Sequence, residues 1–308
     1  MTTNGLDFHQ LPVVPMDGQQ VCCEAFDFAG AQHPGASFRD FLCGLPNLGS
    51  AADLVRVRDA LVAARRGGHG RLLACGGGLI DRGLGPMVAQ SMAYKIFSSL
   101  ALTGSAMLKD VEVALSGKVF AEDGQHGVTE ESCRLIVEAI DWAAEESIGL
   151  GASVGQRLLD VDAPHREHSL LAVAAERGVP VTVHPAIGAD AFHRHPALRG
   201  ESMGAAGLHD FRLLAALVGQ CSHGVVLNVA SSVVMPRLLA EASAAVRSTG
   251  ATLAGVRVCM VDGAPVDGVA RQSLARVAVD TDAVCTMTGA VELLLPLLLA
   301  AVVDTLEE

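Results

Sequence analysis

Residues 71–86 read Arg71-Leu-Leu-Ala-Cys75-Gly-Gly-Gly-Leu-Ile-Asp-Arg-Gly-Leu-Gly-Pro86. A short apolar run stops at three glycines, and a proline suited to the first turn of a helix follows. Arg71 to Ala74 is therefore expected as a buried strand, and Leu84 to Tyr94 as a helix. Glycines between strand and helix let the backbone come close to a phosphate, and the helix N-terminus adds N–H groups and positive dipole. The spacing is not Gly-x-Gly-x-x-Gly, so a tight, closely packed turn reads equally well from these residues alone.

The same alternation runs outward from this segment. Upstream, Ser50 is placed to cap a helix to Arg66 with Leu54, Val57, Leu61 and Val62 on its apolar face; Gly67, Gly68 and Gly70 end it. Downstream, strands are expected at Ile96–Leu102, Val179–His184, Gly224–Val229 and Thr252–Val261. Helices are expected at Ala106–Leu115, from Thr129 through Ala144, at Val154–Leu159, Glu167–Arg177, Gly207–Val218 and Met235–Ser248. A long loop is expected from Pro185 to about Met203. Strands alternating with helices predict an α/β fold with a doubly wound, mostly parallel sheet and helices on both faces. The apolar run Val291–Val303 is too short to span a bilayer. It reads as a buried terminal helix with a kink or late start at Pro296. Residues 1–36 are expected as an irregular arm and residues 37–308 as one domain.

Half of the 308 residues are apolar and 18% are charged, which provides for a large core or for subunit contacts. A net charge of −12 and 4% aromatic content argue against nucleic acid and anionic membrane as partners. The eight cysteines form no Cys-x-x-Cys pair, and the polar, proline-containing first residues are not expected to be a targeting signal. Reduced, mostly buried thiols in a cytoplasmic protein are the reading, with Cys75 set apart by its glycine neighbours.

Four segments carry candidate chemistry. Gly76, Gly77 and Gly78 form the first turn. Thr103-Gly104-Ser-Ala-Met-Leu-Lys109-Asp110 follows the second expected strand, where small residues admit a ligand; a capped helix with a surface Lys/Asp pair is the plainer reading. The third, His184-Pro-Ala-Ile-Gly188-Ala-Asp190-Ala-Phe-His193-Arg-His195-Pro196, continues to Arg199-Gly-Glu201 and packs imidazoles and carboxylates after a buried strand. Ligands of such sheets bind outside the carboxyl ends of strands. His184, Asp190, His193 and His195 also have the chemistry of metal ligands. The fourth, Asn228-Val-Ala-Ser231-Ser232, ends a strand in hydroxyls that either cap a helix or hold a phosphate. No Gly-x-Ser-x-Gly elbow occurs, against serine-hydrolase chemistry.

From Phe38 to Val303 the chain resembles the deoxyhypusine synthase superfamily, and more closely its bacterial deoxyhypusine synthase-like branch. Gly77–Pro86, Thr103–Gly117, Gly151–Gln156, Val181–Pro196, Gly204–Leu213, Leu227–Pro236 and the segment from Met287 carry the resemblance. It implies a Rossmann-like homotetramer binding NAD at subunit interfaces. Gly76, Gly77, Gly78, Thr103, Gly104, Gly188, Asp190, Ser231 and Ser232 would line the cofactor. Lys109, His193, His195 and Glu201 would face the reacting end.

Four motifs depart from the family pattern. Ser232-Val-Val-Met-Pro236-Arg237 replaces the segment with the imine-forming lysine, and arginine cannot form that Schiff base. Gly78-Leu-Ile-Asp81 stands for His-x-x-Lys, Lys109-Asp110 for His-Asp, and Gly289-Ala-Val-Glu292 for Gly-His-His-Glu. The expectation is an NAD-dependent enzyme of transferase or oxidoreductase type. It would act on a small amine, amino-acid or nucleoside-like metabolite in a specialised pathway, without making hypusine. The alternatives are a non-catalytic subunit paired with an intact homologue, and a metal-dependent hydrolase or lyase using His184, Asp190, His193 and His195.

Overall fold

The computed structural model describes residues 8–121, 128–278 and 283–306, which fall into two compact units, Met1–Leu48 and Gly49–Glu308. In the first, three single-turn 3-10 helices (Phe8–Gln10, Met16–Gly18 and Ala25–Asp27) precede α1, Phe38–Cys43. A reciprocal capping box opens α1: Ser37 Oγ accepts from the Asp40 amide at 3.1 Å, and the Asp40 carboxylate accepts from the Ser37 amide at 2.9 Å.

The second unit is built on six parallel strands in the order β3-β2-β1-β4-β5-β6. These are β1 (Arg71–Cys75), β2 (Ser99–Thr103), β3 (Val181–His184), β4 (Val225–Val229), β5 (Arg257–Asp262) and β6 (Val284–Thr288). Every residue of β1 to β4 is buried, as expected for strands covered on both faces. α2 (Gly49–Arg66) precedes β1; α3 (Gly77–Asp81) and α4 (Gly85–Ala93) lead from β1 to β2. α5 (Gly104–Ser116), α6 (Glu130–Glu146), α7 (Leu150–Asp160) and α8 (Leu170–Arg177) lead to β3. α9 (Gly200–Gly219), α10 (Val234–Ser248) and α11 (Gly268–Val277) join the remaining strands, and α12 (Val291–Leu306) closes the unit.

α9, α10 and α11 bury Leu214, Val218, Met235, Leu239, Leu274 and Val277 against Leu72, Ala74, Val226, Val258 and Met260. The alternate strand residues, Leu73, Cys75, Leu227, Val229 and Cys259, are buried toward the opposite face. The fold is thus an α/β, Rossmann-like doubly wound sheet, and all of its pairings are parallel.

Several elements differ from the sequence expectation. β6 and α11 are additional. β6 pairs only with β5 and is buried at Cys285 and Met287, so its apolar signal is that of an edge strand. α9 begins at Gly200 rather than Gly207, which shortens the expected loop. α12 starts before Pro296 and runs through it, so there is no late start. Ser50 lies inside α2, and its hydroxyl accepts from the Thr288 amide at 3.1 Å. Asp53 likewise accepts from the Thr286 amide at 2.9 Å. Thr129 does precede α6, but its hydroxyl donates to Glu112 at 2.9 Å instead of capping.

Candidate functional site

Strand order reverses between β1 and β4, because β1 connects on to β2 on one side while β4 connects on to β5 on the other. Such a reversal leaves a crevice at the carboxyl ends. The two turns that border it touch. The Gly76 amide donates to Val229 O at 3.1 Å, and a Cβ at Gly76 would overlap the Ala230 carbonyl oxygen. Only glycine allows this approach. Ala230 itself takes a left-handed conformation (φ 50°), which aims the chain toward Ser231 and Ser232. Ser231 is buried, and its Oγ accepts from the Met235 amide at 3.4 Å, a weak cap on α10; Ser232 is exposed. Asn228, fully buried at the end of β4, donates from Nδ2 to Ser231 O at 2.7 Å, while its Oδ1 has no partner. A buried acceptor left empty is costly, on the order of 1–3 kcal/mol. Sequence reading passed over this side chain because asparagine in a strand carries no local pattern.

At the end of β2, Thr103 Oγ1 accepts from the Ala106 amide at 3.2 Å and caps α5. Asp190 fills the space above Gly104, where a Cβ would overlap its carboxylate; that carboxylate also accepts from the Ala186 amide at 2.6 Å. The positive end of α5 therefore already faces a protein carboxylate, which binds the loop after β3 to it.

Lys109 sits one turn further along α5. Its stem packs beside Gly77, and its ammonium donates to both Asp81 oxygens, at 2.6 and 2.7 Å. Arg82, the next residue, turns the opposite way. It donates to Gly78 O at 2.7 Å and pairs with Glu292 of α12 at 3.3 Å. Two ion pairs, Lys109–Asp81 and Arg82–Glu292, thus start from the consecutive residues Asp81 and Arg82 at the crevice end of the sheet. The neighbours Lys109 and Asp110 part company. Asp110 is fully buried and accepts from Ser169 Oγ at 2.6 Å and from the Leu170 and Leu171 amides at 2.7 and 3.0 Å, capping α8. Burial pushes its carboxyl up to about 6 against those bonds.

The loop after β3 distributes its side chains. His184 Nε2 meets Thr182 Oγ1 at 2.9 Å, and burial lowers its pKa to about 3, so it is a neutral core imidazole. His193 accepts at Nδ1 from the Gly188 amide at 3.3 Å; Nε2 is buried without a partner, beside the Phe192 ring. His195 Nε2 lies 3.6 Å from Glu130, at the start of α6. Glu201 is exposed and pairs with Arg199 at 3.1 Å. Lys109, His193, His195 and Glu201 thus engage partners on different elements. Among the described residues, His184, Asp190, His193 and His195 form no cluster able to hold a metal.

Two buried groups found elsewhere are structural. Asp210 of α9 accepts from the Val183 amide at 2.7 Å and the Gly151 amide at 2.9 Å, tying α7 to β3, and burial raises its carboxyl to about 7. Cys75 is buried with its thiol pushed up to about 12, chiefly by desolvation, so it is an inert packing residue. Among the described residues, no helix is long and apolar enough to cross a membrane.

No protein-family model and no curated protein matches the chain. Solved structures do. AgrE, in a ternary complex with ornithine and NAD+, aligns with 82% of this chain at 15% identity and a TM-score of 0.56, and the chain spans 33% of AgrE. A conserved protein described as LOR/SDH from Methanococcus maripaludis aligns with 85% at 16% identity and a TM-score of 0.53; 71% of that chain is matched. A protein described as a deoxyhypusine synthase from Entamoeba histolytica aligns with 87% at 11% identity and a TM-score of 0.52, over 93% of its own length. The chain therefore has the deoxyhypusine synthase-like fold shared by these proteins.

Proposed function

We propose that the chain is an NAD-dependent enzyme of the deoxyhypusine synthase-like type. In this reading it acts on a small amine, amino-acid or nucleoside-like metabolite and does not form hypusine. The observation that carries it is the pairing of the Gly76–Gly78 and Ala230–Ser232 turns at the strand-order reversal, with the unpartnered Asn228 Oδ1 beside them. The structural likeness to AgrE, solved with NAD+, supports the same reading.

The cradle suits a dinucleotide. Gly76, Gly77 and Gly78, with Ser231 and Ser232, would hold the phosphates through amides and hydroxyls, with the Lys109 stem and Ser105 beside Gly77 and the Arg82 guanidinium beside Gly78. Thr103, Gly104, Asp190 and Gly188 would serve as the wall, because Asp190 already answers the α5 dipole. NAD, when bound, supplies hydride acceptance and return. Asn228 Oδ1 would accept an N–H of the bound molecule. Lys109, held by Asp81, would pair with an anionic substrate group instead of forming an imine. His193 would donate from Nε2, because Nδ1 is engaged as an acceptor. His195 and Glu201 would reach the reacting end only after rearranging from their present partners. Arg237, exposed on α10, cannot replace the missing lysine. A cytoplasmic homotetramer, or a hetero-oligomer with a homologue, is the proposed assembly.

Native mass spectrometry of freshly purified protein, combined with thermal melting in NAD, tests this. Retained dinucleotide, or a Tm raised by NAD, is expected. No added mass and an unchanged Tm at millimolar NAD would overturn the proposal.

A further inference from the structure

At the opposite, amino-terminal end of the sheet lies a second cavity of about 430 Å³, lined by Arg71, Lys95 and Arg177 together with Met92, Ala93, Phe97, Ser98 and Val179. Three cations and no carboxylate line it, in a chain of net charge −12. All three stand near helix C-termini, where the dipole favours a cation, but only Arg71 spends its hydrogens on the carbonyls there. The Arg71 guanidinium donates to the carbonyls of Ile96 at 2.9 Å, Ala64 at 3.3 Å and Lys95 at 3.5 Å, and also to His69 O, so its hydrogens are spent on the ends of α2 and α4. Lys95 and Arg177 have no ion-pair or hydrogen-bond partner for their side chains among the described residues. Lys95 also stands just past the end of α4 in the left-handed conformation (φ 54°), where glycine is the least strained choice. A lysine there costs roughly 1 kcal/mol of backbone strain, and its side chain lines the cavity.

From this we infer that the cavity is a binding site for a small organic phosphate. Lys95 and Arg177, both exposed and without an ion-pair partner among the described residues, match a phosphate dianion, and the wall of Met92, Ala93, Phe97 and Val179 accommodates an apolar body. The site is distinct from the crevice between β1 and β4. α4 runs between the two, from the glycine segment to Lys95, so a ligand here would brace the ends of α4 and α8.

Isothermal titration of the whole chain with phenyl phosphate, alongside inorganic phosphate, is the test. Saturable uptake is expected, tighter for phenyl phosphate and weakened by added salt. Lys95→Gly relieves the strained backbone while removing the charge, and Arg177→Gln removes the other. Each is expected to weaken binding roughly tenfold, the loss of one charge-assisted contact. NAD-induced Tm shifts should be unchanged in both variants, which separates this site from the proposed cofactor site. No uptake at tens of millimolar phenyl phosphate, or an affinity that neither substitution alters, would overturn the inference.

Discussion

Stability should fall as pH rises from 4 toward 7, and Asp210 is the main cause. Its carboxyl lies fully buried between β3 and the start of α7, accepting two amides, and burial lifts its pKa from an ordinary 3.8 to about 7. Asp110 behaves alike, lifted to about 6. An acid whose folded pKa is raised binds its proton more tightly in the native state. Its contribution is complete below the unfolded pKa and is lost as pH climbs through the folded one. At 1.36 kcal/mol per pH unit, Asp210 accounts for up to ~4 kcal/mol across that range and Asp110 for up to ~3 kcal/mol. Urea unfolding at pH 4 and pH 8 gives nearly the whole difference. Asp210→Asn keeps an oxygen for the Val183 and Gly151 amides but has no charge to bury. The variant should therefore lose most of the Asp210 share of the slope and match or exceed the parent at pH 8. A variant with the parental pH dependence would refute the reasoning.

Gly76→Ala should cost about 2–4 kcal/mol in urea unfolding, because the new methyl meets the Ala230 carbonyl and forces the β1 and β4 ends apart; NAD-induced stabilisation should be lost with it. A double-mutant cycle on Asp81→Asn and Lys109→Met should give a coupling of about 1 kcal/mol, since Asp81 is half exposed and water screens the pair. With a thiol reagent on the folded protein at pH 8, Cys22, Cys23 and Cys43 should label quickly. Cys75 and Cys259 should label only on unfolding, as mass mapping of the labelled peptides would show.

Five of the six strands were legible because they are short, mostly apolar runs with a glycine close to at least one end. β6 was not, since a short edge strand such as Val284-Cys-Thr-Met-Thr288 buries only alternate residues and has no turn signal strong enough to isolate it. The early turns of α9 were hidden by Gly200, Gly204 and Gly207, each of which lowers helix propensity by about 1 kcal/mol. The candidate site was legible as a set of strand ends, but its internal partners were not. Asp81 finds Lys109 across 28 residues, and Asp110 finds Ser169 across 59. Such pairs leave no local periodicity, so Asp110 reads beside Lys109 as a surface pair although it caps a distant helix. Asp190 could be placed in the loop after β3, but its position over Gly104 is set by three-dimensional closure alone.

The rim of the sheet at β6 is already occupied. Ser50 and Asp53 of α2 take up the amides of Thr288 and Thr286, which would otherwise present a ladder of donors to any passing extended chain. An incoming strand would have to displace these two side chains before it could zip on, and α2 would have to tilt away with them. The first helix of the unit therefore doubles as a guard against cross-β growth from this flank.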